Sequence, residues 1–384
     1  MNNLIKGYAT AEATKQYVKK QSSHANKAVA EGHYSDFLQS KIKLSSIGIG
    51  TFPGAITTEV DEQIVQIIVK AIGSGINVID TAAHYRYGRA LAAVGAGLKA
   101  SFESGVPRES VFIISKGGFL TLRGGPPKNF DDWFEKEIVS KELGSRDDLV
   151  NQMHLLSPEY FNYQIELSRN LMGLETLDIF LVDQPEVHIP VIGKEKTNAK
   201  LLKVFVALEK AVGENKIRGY GISTFDGMRV ETDDVKFQSL TSMLGLAEKA
   251  AQEVHGNGVA HSFKMVEMPF NYVMSEGFTR FSHATGQGNV ASTLQAAYQL
   301  GVYVMASHGL MKGHLSLVQN DQLADLLPML ENPAQRSIQF NRSTPGLGTT
   351  LIGMSQAKHL NDVLTVSQIS PMTKKAYLGL YSKA

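Results

Sequence analysis

Short apolar runs recur along the chain, and each stops abruptly at polar residues. Residues 45–51, 77–79, 111–115, 177–182, 217–222, 263–266, 302–306 and 349–352 form eight such runs. Their near-continuous apolar character is that of strands buried on both faces. Between most of them the apolar positions switch to helical spacing. Thr58 and Asp61 resemble a capping box, and Ile64, Ile67, Ile68, Ala71 and Ile72 follow on one face until Gly73 and Gly75 stop the helix. Residues 90–100, 199–213, 236–254 and 290–300 read as further helices, and another starts at Ser157-Pro158, carries Phe161, Ile165, Ser168 and Met172 on one face, and ends at Gly173. Strands alternating with helices predict a parallel sheet. Eight such units predict a closed (β/α)8 TIM barrel in the α/β class. An open doubly wound sheet is the competitor, but no Gly-x-Gly-x-x-Gly follows an early strand.

Two segments interrupt the alternation. Residues 119–156 hold Arg123-Gly-Gly-Pro-Pro127 and the only tryptophan, Trp133, and residues 224–262 form a second long connection. Residues 1–40 are polar and alanine-rich and read as an extension packed on the outside of one barrel formed by 41–384. No motif in either long loop identifies a substrate, and no pattern specifies an oligomeric state.

Composition narrows the function. The 384 residues are 43% hydrophobic, enough for a large core. The net charge of +1, from 38 basic and 37 acidic residues, offers no field for nucleic acid or an anionic membrane. There is no cysteine, so disulfides, thiolate nucleophiles and Cys-bound metals are excluded and a cytoplasmic setting is expected. No apolar run is long enough to span a bilayer, and the first residues lack the core of a secretion signal.

The chemistry collects where the strands stop. Asn77-Val-Ile79 gives way to Asp80, Thr81, His84, Tyr85, Arg86 and Arg89. In a barrel the C-terminal strand ends form the active face, which would gather Asp80, Lys116, Asp183, Ser223, Glu267, Ser307 and Gly353, with Tyr85 one short turn beyond Asp80. A tyrosine has a pKa of about 10. A nearby ammonium lowers it, and a carboxylate can anchor that ammonium. Tyr85, Lys116 and Asp80 therefore have the residue types for a proton relay to a carbonyl oxygen as hydride reaches carbon. A buried Asp–Lys ion pair beside a core tyrosine is the plainer alternative.

These segments together resemble the aldo-keto reductase superfamily. Asp80-Thr-Ala-x-x-Tyr85 is similar to the segment carrying the family's aspartate and tyrosine, and Val111-x-x-x-Ser115-Lys116-Gly117 to its lysine strand. Glu214-x-Lys-Ile-Arg-x-x-Gly-Ile-Ser223, Leu310-x-x-Gly313-x-Leu315 and Pro345-Gly346…Leu351-Ile-Gly353-Met-Ser355 resemble three further segments in the same order. The N-terminal extension, the 119–156 insertion and Asp226-Gly227 resemble a bacterial branch. The resemblance implies a barrel that binds NADP, with NAD as the alternative, needs no metal and acts on a small molecule. It implies Tyr85 as proton donor with Lys116 and Asp80 as partners. Ser223 and Glu267 would hold the nicotinamide carboxamide. Ser307, His308, Leu310 and Gly313 would follow the pyrophosphate, and Gly353, Ser355 and Lys358 would meet the adenosine phosphate end.

One position departs from the pattern. The family's fourth strand ends in histidine, and Val182-Asp183-Gln-Pro-Glu186 places Asp183 there. An ionised carboxylate only accepts hydrogen bonds, repels a developing oxyanion, and could pair with Lys116. Protonated in a dry site, it becomes a donor. The steroid double-bond reductases of the superfamily carry glutamate here, so Asp183 could serve reduction of a conjugated C=C. His84 and His154 are candidate substitutes for the missing histidine, whereas His188 reads as a loop residue. Glu267 replaces the usual glutamine, Thr224 the usual asparagine and Ser307 the aromatic that stacks on the nicotinamide. The reading is a reductase of a carbonyl or conjugated alkene. Its alternatives are a repurposed barrel doing non-redox acid–base chemistry (isomerase, dehydratase or cyclase) and a non-catalytic cofactor-binding subunit.

Overall fold

The computed structural model describes residues 4–23, 29–286 and 288–381. Lys27 of the extension lies outside them. Eight parallel strands close into a barrel: β1 Ile47–Gly50, β2 Val78–Asp80, β3 Phe112–Gly117, β4 Ile179–Asp183, β5 Tyr220–Ser223, β6 Phe263–Pro269, β7 Tyr303–Ser307 and β8 Thr349–Gly353. They neighbour one another in chain order, and β8 pairs with β1 through Leu351↔Gly48 and Gly353↔Gly50. The expected TIM barrel is the observed one.

Side chains alternate along each strand, and the two sets go to different cores. Val78, Phe112, Ile114, Ile179, Leu181, Met265, Tyr303, Met305 and Leu351 fill the barrel interior. Ile79, Ile113, Phe180, Val182, Ile222, Val266 and Val304 face the surrounding helices. Two residues beyond the interior set, on the same side of the strands, come Asp80, Lys116, Asp183 and Glu267. The titratable groups are thus the top layer of the barrel filling. Gly221 permits this closure, since a Cβ there would lie 1.8 Å from the Met265 carbonyl oxygen.

The helices follow the predicted periodicity closely. In α1, Ala11–Ser22, Tyr17 hydrogen-bonds the Ile72 carbonyl at 2.5 Å. In α2, Thr58–Gly73, the buried residues are Ile64, Ile67, Ile68, Ala71 and Ile72. Its cap is Thr57 rather than Thr58, with Thr57 Oγ1 accepting from the Val60 amide at 3.4 Å. Two segments differ from expectation. Residues 290–300 divide into a strand, Val290–Ser292, paired with Phe281–Ala284, and a helix from Thr293, because Ser292 caps that helix. The 119–156 connection holds a short helix, Phe130–Phe134, and a hairpin of Leu149–Val150 with His154–Leu155, built over its own core of Leu120, Phe134, Ile138, Leu155 and Tyr160. The 224–262 connection contains the expected helix, at Leu240–His255.

The N-terminal segment does more than lie on the surface. Phe37 enters the barrel floor, with its ring 5.0 Å from that of Phe112 and 5.1 Å from that of Tyr303. Asp178, at the base of β4, accepts from the Ala9 amide at 2.6 Å, the Ile113 amide at 2.8 Å and the Arg108 guanidinium at 2.9 Å. The floor is therefore closed by residues ahead of the first barrel strand. Phe37→Ala should lower stability by about 3–5 kcal/mol, the range for truncating a buried phenylalanine. Chemical denaturation checks this, and a loss under about 1 kcal/mol would show that Phe37 is not a floor residue.

Candidate active site

Lys116 is fully buried at the top of β3. Its ammonium lies between both carboxylate oxygens of Asp80, with Oδ2 at 2.5 Å, and Glu267 Oε2 at 3.2 Å. It also donates to Tyr85 Oη at 3.2 Å. Burial draws the pKa of this ammonium down, but Asp80 and Glu267 more than offset it and hold it well above its usual value. Lys116 is a fixed cation.

Tyr85 differs from expectation. Burial lifts its phenol well above the usual value, Lys116 pulls it back, and Asp80, Asp183 and Glu267 push it up again. Lys116 was expected to lower the phenol overall. It does not, because burial outweighs its pull and the carboxylates beside it oppose it. Tyr85 is consequently a neutral phenol at every pH near neutrality.

The turn carrying Tyr85 is unusual. Arg86 and Tyr87 take left-handed backbone angles, with φ of 50° and 56°, a conformation that costs non-glycine residues about 1–3 kcal/mol each. The Arg86 guanidinium holds this turn against the start of α2. Its Nε and Nη2 donate to the Ala55 carbonyl at 3.0 and 2.7 Å, Nη2 also reaches Thr57 O at 3.2 Å, and Nη1 pairs with Asp61 at 2.7 Å.

Asp183 tops β4 at 3% exposure. Burial pushes its carboxyl up to about 7; Lys116 pulls it down, Glu267 pushes it up, and a Ser223 hydrogen bond lowers it. Asp183 does not form the suggested ion pair with Lys116, since the second carboxylate there is Glu267. The imidazole beside its carboxyl is His84, whose Nε2 is 3.8 Å from Asp183 Oδ2. His84 packs edge-on to Tyr85 and against Phe119, and burial, with Lys116 and His154, lowers its pKa to about 3.

The two remaining histidines have structural tasks. His154 Nε2 donates to the Asp183 carbonyl at 2.5 Å, so its Nδ1 must accept, and His188 Nε2 supplies that proton at 2.9 Å. His154 has spent its donor on backbone and cannot replace the missing histidine, whereas His84 remains free to face the cleft. His188 stands behind His154. A Cβ on Gly118, whose φ is +123°, would lie 2.4 Å from His154 Nε2. Sequence reasoning missed this pair, and it also missed Phe52, Phe119 and Phe225, whose rings contact Tyr85, His84 and His308. The only signal was position just after a strand end.

The residues assigned to a nicotinamide cofactor lie along the same rim. Ser223 Oγ donates to Glu267 Oε1 at 3.3 Å. Glu267 Oε2 faces the Lys116 ammonium at 3.2 Å, so both oxygens of this buried carboxylate are held at the rim, where its acceptor lone pairs suit an amide NH2. Ser307 ends β7, and His308 follows at φ 56°. Leu310 leads into the turn Met311–Ser316, where Lys312 and Gly313 have φ of 55° and 93°. Left-handed residues in such turns aim backbone N–H groups together, as anion sites require. Gly353 ends β8, with Ser355 just beyond it. Lys358 stands apart from the Tyr85 cluster, on a cavity of about 450 Å³ shared with Glu59, Glu62 and Gln356. The donor set fits a nicotinamide dinucleotide. No cluster able to hold a metal ion occurs among the described residues, and no described helix is long and apolar enough to cross a membrane.

Comparison with known proteins agrees with this geometry. Residues 46–238 match the model of the Aldo/keto reductase family. The chain is 28% identical over 193 residues to the NADH-specific methylglyoxal reductase of Escherichia coli, covering 48% of this chain and 50% of that protein. It is 28% identical over 189 residues to a 9,11-endoperoxide prostaglandin H2 reductase of Trypanosoma cruzi, covering 49% and 47%. The chain thus spans about half the length of the curated relatives it matches. Among solved structures, an aldo/keto reductase from Klebsiella pneumoniae in complex with NADP and acetate superposes with a TM-score of 0.59 at 17% identity, over 91% of this chain and 94% of that one. An aldo-keto reductase from Bacillus halodurans in its holo form gives 0.61 at 15%, over 91% and 96%. The matched residues reach from β1 past β5 and include Asp80, Tyr85, Lys116, Asp183 and Ser223; this chain belongs to the aldo/keto reductase family.

Proposed function

We propose that the protein is an NAD(P)H-dependent oxidoreductase that reduces a carbonyl or conjugated C=C of a small organic substrate. The observation that carries this is Tyr85 Oη at 3.2 Å from a Lys116 ammonium that is itself clamped by Asp80. Ser223 and Glu267 would hold the carboxamide, residues 307–315 the pyrophosphate, and Gly353, Ser355 and Lys358 the adenosine end. The reduced nicotinamide supplies the hydride when bound. NADP is favoured by the NADP-bound neighbour and NAD by the NADH-specific relative. Cytoplasmic localisation is part of this reading.

The chain's own residues handle the proton. Tyr85 is a neutral phenol, so it can donate to an oxygen that becomes negative. Lys116 stabilises the phenolate left behind, and Asp80 keeps Lys116 in place. Asp183 in its protonated form is a second donor, in the position where the family has histidine. A carboxyl pushed up to about 7 is available as donor below that pH. The same carboxyl could serve non-redox acid–base chemistry, and turnover without added nicotinamide would establish that second reading.

Tyr85→Phe should lower kcat by about 10²–10⁴-fold, the usual share of a general acid, while nicotinamide affinity in a fluorescence titration stays unchanged. Absence of binding by either NADPH or NADH would end the proposal.

Arg86→Ala should loosen the turn under Tyr85 and lower kcat by on the order of 10–100-fold, with partial recovery in Arg86→Lys, because small misplacements of an acid are costly. An unchanged kcat would show that the turn holds without Arg86.

Reduction of a neutral carbonyl should fall as pH rises through about 7, since deprotonation of Asp183 removes a donor and adds a charge that repels the oxyanion. The step should vanish in Asp183→Asn. A wild-type profile flat from pH 5 to 9 would count against the donor role.

A further inference from the structure

The barrel mouth is short of positive charge. Asp183 is faced by Lys116 from β3, Asp80 from β2, and Glu267 and Ser223 from β6 and β5, with His84 and Tyr85 beside it after β2. Behind it stand Glu186, which accepts from Thr224 Oγ1 and the amides of Phe225 and Asp226, and His154. Both histidines are neutral. Lys116 is therefore the one cation in this group, and Asp80 and Glu267 already surround it. The arginines that follow β2 and β5 are engaged elsewhere: Arg86 on Asp61 and two carbonyls, Arg229 on Glu276 at 2.6 Å and the Phe225 carbonyl at 3.0 Å.

Substrate charge follows from this inventory. Lys116, Arg86 and Arg229 are thus all engaged, and none of the three is free to meet a carboxylate or phosphate substrate. A neutral carbonyl develops negative charge beside carboxyl groups. A cationic C=N bond meets neither difficulty, and the rim adds aromatic faces suited to a cation: Phe52, 53% exposed and edge-on to Tyr85, and Phe119 against His84.

Resting on the reductase reading, we propose that the preferred substrate class of this site is an iminium ion, with Asp183 and Glu267 as its specificity-determining residues. The iminium carbon takes a hydride from the reduced nicotinamide, and the C=N π pair withdraws onto nitrogen as its lone pair. A neutral amine and the oxidised nicotinamide result. No proton would be consumed, and the positive charge would pass from the substrate nitrogen to the nicotinamide.

Two substrates of similar size separate charge from shape: the permanently charged N-methyl iminium of dihydroisoquinoline and the neutral ketone α-tetralone. At pH 8, with whichever nicotinamide binds, kcat/KM for the iminium should exceed that for the ketone by at least about tenfold, as expected for one charge in a partly dry site. The ratio should shrink below pH 7 as Asp183 takes up its proton. A quaternary ammonium analogue that cannot react, N,N-dimethyltetrahydroisoquinolinium, should bind more tightly than the ketone by calorimetry, and Asp183→Asn and Glu267→Gln should each reduce that margin. Both substitutions preserve shape, so folding is expected to survive. Turnover of the ketone with equal or poorer turnover of the iminium, or no tighter binding of the unreactive cation, overturns this inference alone. Failure to reduce either substrate while nicotinamide binding is measured overturns the reductase reading with it.

Discussion

The site depends on one buried ammonium. Lys116 emerges from the barrel filling with no exposed surface, and an unpaired ammonium there would be strongly unfavourable. Asp80 and Glu267 make its burial tolerable. Burial then keeps Tyr85 a phenol and pushes the Asp183 carboxyl up, and the same carboxylates oppose the pull of Lys116 on both. The proton inventory follows: one fixed cation, a phenol that keeps its proton, and a carboxyl that exchanges one near neutrality.

The barrel makes this cluster by simple alternation. Along β3, Phe112 and Ile114 fill the interior and Lys116 is the next residue on that side; along β4, Ile179 and Leu181 precede Asp183 in the same way. The apolar layers below exclude water from the layer above, so the packing that stabilises the barrel also sets the low polarity in which the carboxyls titrate. Phe37 and Leu44 seal the opposite end of the same core. Floor and mouth are thus physically linked through shared side-chain layers.

What could be read from sequence was what the period of two and the period of 3.6 control. All eight strands and the five buried positions of α2 were legible, because burial of apolar groups alone determines them. Asp80, Lys116, Asp183 and Glu267 were legible as strand-end residues. Their pairing was not: that Glu267 rather than Asp183 takes the second side of Lys116 depends on side-chain reach across three strands. The role of His154 was equally hidden. It lies in a two-residue strand of the 119–156 insertion, too short for periodicity, and its task is set by a carbonyl 29 residues away in the chain. The split of 290–300 into strand and helix was missed because Ser292 acts as a cap, a local hydrogen bond that overrides an apolar pattern.

Asp183 gains its meaning from its neighbours rather than from its own substitution. In a site where Lys116 were free of Glu267, an aspartate at the end of β4 would ionise and pair with it, leaving a permanently charged and passive group. Here burial raises the Asp183 carboxyl, and Glu267, which occupies that side of Lys116, also repels it, so the proton stays on Asp183 to about pH 7. His154 fixes the Asp183 backbone from behind, which aims the carboxyl into the cleft without neutralising it. The aspartate and the glutamate therefore act as a pair: one holds the lysine, and the other is left able to donate below neutrality and to attract a cation above it.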